Sequence, residues 1–249
     1  MIVVWEVIVE VLTIREYLLP KPSVVAKEIG EEHSILLSAT WVTLKEVLLG
    51  FALSIVVAIP VGVLIVYSRT LADVIYPLLV ASQAIPRIAI APLIVIWFGF
   101  GTLPKVLIAF SIAFFPLVVN TVLGLTAVPR DMIFLVRSMG AGAVKTFIKA
   151  RFPSALPAIF GGLKVAIALS VIGAIVGEFV GAEDGLGYLV IASQGTLNTR
   201  LIFASITMMA VMGIVLFYIV EAIERVVIGW HYAARAEEGG DWGQAVAGS

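Results

Sequence analysis

A group of basic and aromatic side chains lies at residues 137–157, which read Arg-Ser-Met-Gly-Ala-Gly-Ala-Val-Lys-Thr-Phe-Ile-Lys-Ala-Arg-Phe-Pro-Ser-Ala-Leu-Pro. Lys145 and Lys149 stand beside Val144, Phe147 and Ile148, which recur at helical spacing. A short basic amphipathic helix can lie on anionic lipid. It can equally dock in a groove on a soluble partner protein. The residues alone leave both uses open.

Two residue types predict how this segment folds. Gly140 and Gly142 separate two short helices, because a residue between helices often needs the positive φ that glycine adopts without a Cβ clash. Proline has no N–H to donate, so the second helix is expected to stop before Pro153.

Several kinds of catalytic and binding chemistry find no support in the sequence. The nearest approach to a phosphate-binding loop runs from Gly140 to Thr146, where Val144 replaces the glycine that must precede the lysine. The chain is therefore not expected to bind ATP, and no cofactor is predicted. The absence of cysteine, with only two histidines, argues against a metal site. A net charge of −1 provides no basic surface for nucleic acid, and no nucleophile–base pair indicates an enzyme.

The composition identifies the elements that must position this segment. Apolar residues make up 61% of the 249 residues and charged residues 13%, against roughly 45–50% and about 25% in soluble domains. A polytopic, all-α membrane protein is the class that accommodates this balance. Runs of about 20 apolar residues, long enough to cross the hydrocarbon, predict five firm spans at 47–68, 74–100, 106–129, 163–180 and 201–220. Residues 1–14 predict a short first helix, with an interfacial helix as the alternative.

A charged residue within one of these spans needs a stabilising partner or a function, because a charge in hydrocarbon costs a few kcal/mol. Glu178 is the only acid that the sequence places within a predicted span. It is either an interfacial carboxylate capped by the following loop or part of an outer gate. Lys164 lies near the opposite end of the same span and is expected to extend to the interface. Arg87 falls in the middle of a span, and the sequence offers no account of it.

Glycines and residues with an amide side chain are the other candidates for a place in a transport pathway. Gly173, Gly177, Gly181 and Gly185 recur every fourth residue, which lets a helix backbone approach closely, either within the subunit or across a two-fold axis. Gln83 and Asn120 lie beside Pro86 and Pro116, where a freed carbonyl could mark a broken helix facing water. Ordinary interhelix hydrogen bonding is the alternative for both amides.

Orientation follows from the basic loop, since positive residues favour the cytoplasmic side. The loop between the third and fourth firm spans carries five basic residues and one acid, and is expected inside: Arg130, Asp131, Arg137, Lys145, Lys149 and Arg151. Alternation then places residues 181–200 outside and the C-terminus in the cytoplasm. The expected regions are a short helix and polar loop at 1–40, a transmembrane domain at 41–230 with its cytoplasmic loop at about 130–157, and a cytoplasmic tail at 231–249.

The loop resembles the coupling segment of importer-type ABC transporter permeases, whose pattern is Glu-Ala-Ala, three residues, Gly, nine residues, then Ile-x-Leu-Pro. Gly140 and Pro153 fall on the family glycine and proline, whereas Phe134, Leu135 and Val136 replace Glu-Ala-Ala. Further motifs resemble the nitrate, sulfonate and taurine branch: Leu-Leu-Pro-Lys-Pro-Ser at 18–23, Gln-Ala-Ile-Pro at 83–86, Ala-Pro-Leu-Ile-Val-Ile-Trp-Phe-Gly-Phe-Gly at 91–101, Phe-Phe-Pro-Leu-Val-Val-Asn-Thr at 114–121, Gly-Glu-Phe-Val-Gly-Ala at 177–182 and Gly-Leu-Gly-Tyr at 185–188.

The resemblance implies the six-span fold of type I importer permeases and one half of a homodimeric pathway in the cell inner membrane. It implies a separate ATPase subunit that binds ATP and an extracytoplasmic binding protein that delivers a small solute. Residues expected to couple to the ATPase subunit are Arg137, Ser138, Met139, Gly140, Ala141, Lys145, Phe147, Lys149 and Pro153. Residues expected in the pathway or gate are Gln83, Asn120, Gly177, Glu178 and Gly181. The alternative function is a self-contained secondary transporter or channel, which would need internal repeats or ion sites on half-helices.

The orientation can be tested with single cysteines, because the chain has none of its own. In intact cells, Ala143→Cys should resist a membrane-impermeant thiol reagent, whereas Thr196→Cys should react with it. The reverse labelling pattern would overturn the predicted orientation.

Overall fold

The structure, a computed structural model that describes residues 2–229, is built from helices, with no strand in that range. The predicted tail at 231–249 lies outside the described residues. The helices are α1 (Ile2–Val11), α2 (Pro22–Glu31), α3 (His33–Tyr67), α4 (Arg69–Ser82), α5 (Arg87–Phe98), α6 (Thr102–Thr126), α7 (Arg130–Ser138), α8 (Ala143–Thr146), α9 (Phe152–Gly181), α10 (Leu186–Gly195) and α11 (Thr199–Val227), with a π-helical turn at Phe147–Arg151 between α8 and α9. The all-helical class is confirmed.

Among residues 2–229, four helices are long and apolar enough to cross a membrane, namely α3, α6, α9 with the segment before it, and α11. The predicted span at 74–100 is instead two helices, α4 and α5, which meet at 97° and would make a fifth crossing if they count as one. α3 has 35 residues and begins at His33, so it takes in Glu46, which the predicted span at 47–68 left out.

The N-terminal region packs on the outside of this bundle. α1 has 10 residues, a length of about 15 Å, and its Trp5 ring lies 5.9 Å from the Phe203 ring of α11. α2 lies within residues 1–40, where the sequence predicts a short helix followed by a polar loop. The Ser23 hydroxyl and its backbone N–H both donate to Glu6 of α1, and these bonds hold the pKa of Glu6 below its usual value.

α6 lies between α3 and α9. The helices approach one another so closely that only glycine fits at the crossing points. A Cβ on Gly173 would lie 2.5 Å from the Cα of Ala109, and a Cβ on Gly177 would lie 3.0 Å from the Cα of Lys105. Gly181 faces Val95 and Phe100. Gly173, Gly177 and Gly181, which we call the glycine ridge of α9, therefore pack against α5 and α6 of the same chain. Of the two uses that the sequence left open, this is packing within the subunit.

This packing predicts an asymmetry between two glycines of α9. Gly173→Ala should lower the stability of the protein by about 1–3 kcal/mol, because the added methyl group meets backbone that cannot move aside. Gly161→Ala is the matched control, since a Cβ at Gly161 has no described atom within 4 Å. Thermal unfolding in detergent compares the two, and equal melting temperatures would contradict the packing.

Candidate functional site

The basic segment forms two helices joined by a left-handed turn. α7 ends at Ser138, and Gly140 follows with φ of +80°. The Gly140 N–H donates to the Arg137 carbonyl and the Ala141 N–H to the Val136 carbonyl, which closes the end of α7. The predicted positive φ at Gly140 is confirmed, and Gly142, with φ of −68°, has an ordinary extended conformation.

The prediction that the second helix stops before Pro153 is wrong. Helical structure runs without interruption from Ala143 to Gly181. Pro153 is tolerated because the turn before it widens into a π-turn, in which the Phe152 N–H donates to the Phe147 carbonyl. The wider turn gives room for the proline ring, which in a regular α-helix would clash with the Lys149 carbonyl. Residues 143–181 consequently form one continuous helix, which joins the second half of the basic segment to α9.

Side chains on this segment divide into an exposed set and an anchoring set. Phe147 is half-buried, with its ring 5.8 Å from Tyr67 of α3 and 5.7 Å from Phe152. Among the predicted coupling residues, Arg137, Ser138, Met139, Gly140, Lys145 and Lys149 are exposed, whereas Ala141, Phe147 and Pro153 are half-buried. The structure brings the exposed ones together on one end of the bundle.

Large apolar side chains are exposed beside them. Phe134, Met139, Val144 and Ile148 are between 60% and 79% exposed, and we call these four the apolar patch. The sequence prediction of the site omitted Phe134, Val144 and Ile148. The available signal was that they are apolar residues in a charged segment outside the spans.

Glu178 lies at the opposite end of α9 and is buried, with 2% exposed. It accepts hydrogen bonds from the Thr43 hydroxyl at 2.7 Å and from the Gly187 N–H at 2.5 Å. Thr43 in turn accepts from the Leu186 N–H at 2.9 Å. These bonds tie the N-terminus of α10 to α3 and α9, so the carboxylate is capped by the loop that follows it.

A buried ion pair lies next to Glu178. The Lys105 ammonium of α6 is 2.5 Å from the Glu46 carboxylate of α3, with 6% and 1% of the side chains exposed. The expectation that Glu178 is the only acid within the spans is wrong, because Glu46 of α3 and Glu224 of α11 are buried as well. Glu46 was missed because it stands one residue before the charge-free run, although α3 starts 13 residues earlier.

Lys164 has a partner that the sequence did not predict. Its ammonium lies 2.6 Å from the Glu224 carboxylate, which is 7% exposed. This pair joins the N-terminal half of α9 to the C-terminal end of α11. The last turns of α11 therefore lie at the same end of the bundle as the basic segment.

The remaining pathway candidates have defined partners. Asn120 donates to the Pro116 carbonyl of its own helix at 2.8 Å, and a Cβ on Gly162 would touch its side chain. Gln83 accepts a hydrogen bond from Arg87 Nη2, while Arg87 Nη1 donates to the Ile112 carbonyl of α6 at 2.9 Å. Arg87, which the sequence left unexplained, is thus fixed between the α4–α5 bend and α6.

Residues 50–228 match the family described as "Binding-protein-dependent transport system inner membrane component". The chain belongs to this family. It is 36% identical to the formylaminopyrimidine transport permease ThiX of Halalkalibacterium halodurans, over 92% of each chain. It is 36% identical to the riboflavin transport permease RibX of Chloroflexus aurantiacus, over 92% of this chain and 87% of the relative. It is 26% identical to the taurine transport permease TauC of Escherichia coli, over 93% and 86%.

The fold agrees with this assignment. The chain superposes with a TM-score of 0.69 on a chain of the MetNI methionine ABC transporter in an inward-facing conformation, at 20% identity, covering 79% of this chain and 98% of that one. The protein is thus a membrane-embedded permease subunit of an ABC importer, and the helices described above supply its membrane-spanning part.

The buried pair at Lys105 predicts the response of the permease to loss of that cation. Lys105→Met should destabilise the permease by about 3–5 kcal/mol, because it leaves the Glu46 carboxylate buried without a counter-charge. Thermal unfolding in detergent measures the effect, and exposed Lys45 provides the control variant Lys45→Met.

A second variant separates loss of the pair from general damage. Replacing both partners, Glu46→Leu with Lys105→Met, should recover most of the lost stability, because the orphaned charge is gone. A double variant as unstable as Lys105→Met alone would contradict this account.

Proposed function

We propose that this permease is one half of a homodimeric importer and couples to a separate ATPase subunit through the segment from α7 to the π-turn. The observation that carries the proposal is the apolar patch (Phe134, Met139, Val144 and Ile148), exposed between basic side chains at one end of the bundle. Apolar area in contact with water costs roughly 25 cal/mol per Å². A groove on a soluble partner that covers the patch would recover that free energy, and acidic groups around the groove would pair with Lys145 and Lys149.

The segment has the rigidity that docking needs. The Gly140 and Ala141 N–H groups close the turn on the last carbonyls of α7, and Phe147 packs on Tyr67 and Phe152. A segment held in its bound shape loses little conformational entropy on association. This favours docking over the alternative of a helix that simply lies on anionic lipid.

The same segment is joined directly to α9, so a displacement at the ATPase subunit would move α9 as a rod. α9 carries Glu178 at its far end, where it holds the start of α10. We propose that this connection transmits the ATPase cycle to the opposite face. The binding protein would dock on that face, at α2, α10 and the segment from 182 to 200.

Orientation follows from the same contacts. The basic loop favours the cytoplasm, and the Lys164–Glu224 pair supports the same side for the end of α11. We therefore propose a multi-pass protein of the cell inner membrane with a cytoplasmic C-terminus and α4–α5 as the fifth crossing.

Relatives that transport taurine, riboflavin and formylaminopyrimidine suggest a small solute delivered by a binding protein. A secondary transporter or channel would have no use for the exposed apolar patch.

A pair of glycine variants tests the coupling role. Gly140→Val forces a β-branched residue to φ of +80°, which distorts the turn, so the variant should enter the membrane but lose binding-protein-stimulated ATP hydrolysis and uptake. Gly142→Val is the matched control two residues away, because valine accepts φ of −68° and a Cβ there has open space. Copurification with the ATPase subunit and uptake in proteoliposomes are the measurements.

Two results would count against the proposal. One is normal coupled uptake by a well-inserted Gly140→Val permease. The other is solute transport by the wild-type permease that is independent of any ATPase subunit, which would favour the channel or secondary transporter.

A further inference from the structure

The bend between α4 and α5 breaks regular helical structure inside the transmembrane region. α4 ends at Ser82, α5 begins at Arg87, and residues 83–86 between them are exposed on the surface of the chain. Non-helical backbone at membrane depth is tolerated only where protein covers it or where it lines a water-filled cavity. The bend therefore does not face lipid.

The depth of the bend follows from what it touches. Arg87 Nη1 donates to the carbonyl of Ile112, which is the eleventh of the 25 residues of α6. That carbonyl is free to accept because Pro116, four residues later, has no N–H to offer it. The guanidinium is thus fixed close to the middle of a spanning helix.

Arg87 differs from the other two cations of the spanning core in its lack of a counter-ion. Lys105 pairs with Glu46 and Lys164 with Glu224. None of the acidic groups among residues 2–229 lies within ion-pair distance of Arg87, whose hydrogen bonds go to an amide oxygen and a backbone carbonyl. Three of its five N–H groups have no acceptor among those residues. A charge that is half-exposed, unpaired and at mid-membrane needs water or an anionic ligand.

We propose that Arg87 binds an anionic group of the transported solute, a sulfonate, carboxylate or phosphate, halfway along the pathway. The inference rests on the proposed importer function and specifies a solute-binding residue within it. A guanidinium offers paired N–H groups that match two oxygens of such an anion. Gln83 and the Ile112 carbonyl are positioning groups, because they hold the guanidinium and leave its remaining N–H groups available.

Charged thiol reagents test the site even while the solute is unidentified. Ala84 is exposed within the bend, so Ala84→Cys provides a unique thiol next to Arg87. Rates are expressed relative to each reagent's rate with a free thiol in solution, because the cationic reagent reacts intrinsically faster with a thiolate. On this scale the thiol should react about tenfold faster with the anionic sulfonatoethyl methanethiosulfonate than with the cationic trimethylammonioethyl reagent, because the local field concentrates anions. The preference should disappear when Arg87→Gln is added and persist when Arg69→Gln is added, since Arg69 is an exposed cation at the far end of α4.

The outcomes separate the alternatives. No reaction with either reagent in the assembled transporter would overturn the inference, because the bend would then be covered by lipid or by the second copy. Equal rates with the two reagents would show water access without anion recognition and would also overturn it. Ethanesulfonate at millimolar concentration should slow the modification of Ala84→Cys, which tests binding on a protein with an intact Arg87.

Uptake in proteoliposomes with the ATPase subunit and the binding protein provides the second test. Arg87→Gln should lower uptake of a solute that carries a sulfonate, such as zwitterionic taurine or anionic ethanesulfonate, about tenfold or more, as expected for lost charge-assisted hydrogen bonds. Arg69→Gln should stay within about twofold of wild type. Arg87→Lys keeps the charge without the paired N–H groups, and its uptake should fall between that of Arg87→Gln and that of Arg69→Gln.

ATP-driven uptake of riboflavin or formylaminopyrimidine but of no anion would overturn the inference and leave the importer function standing. Absence of any ATPase association would instead overturn the importer function.

Discussion

Ion pairs between buried side chains hold the ends of this bundle together. Lys105 joins α6 to α3 through Glu46 at one end, next to the Glu178 carboxylate that holds α10. Lys164 joins α9 to α11 through Glu224 at the other end. Removing Lys105 or Lys164 leaves a buried carboxylate without its counter-charge, which costs more than the intact pair contributes. The relative positions of four spanning helices therefore depend on these contacts.

Prolines impose a second set of constraints. Each proline lacks an N–H, so the carbonyl that this N–H would have bonded needs another donor, or the helix must change its geometry at that point. Pro116 frees the Ile112 carbonyl, which then fixes Arg87. Pro153 follows a π-turn that keeps the basic segment continuous with α9. Functional geometry in this permease thus arises where regular helical bonding is interrupted and the freed groups find specific partners.

α9 connects these features. Its N-terminal end continues from the exposed apolar patch, its glycines lie in backbone contact with α6, and its C-terminal carboxylate holds α10. A helix packed this closely moves as a unit, since neither side chains nor backbone at the contact can yield independently. The proposed coupling to the ATPase subunit would use this helix as its mechanical path through the bundle.

The sequence by itself determined the helical membrane class, the approximate spans, the basic segment and the positive φ at Gly140, because hydropathy, charge and glycine conformation are local properties. The order of the motifs along the chain also indicated the family. Only the tertiary structure decided which helix the glycine ridge contacts, that Glu46 pairs with Lys105, that Lys164 pairs with Glu224, and where Arg87 is held. These partners lie 25 to 60 residues apart in the chain. Their choice depends on how the helices pack against one another, which no local pattern encodes.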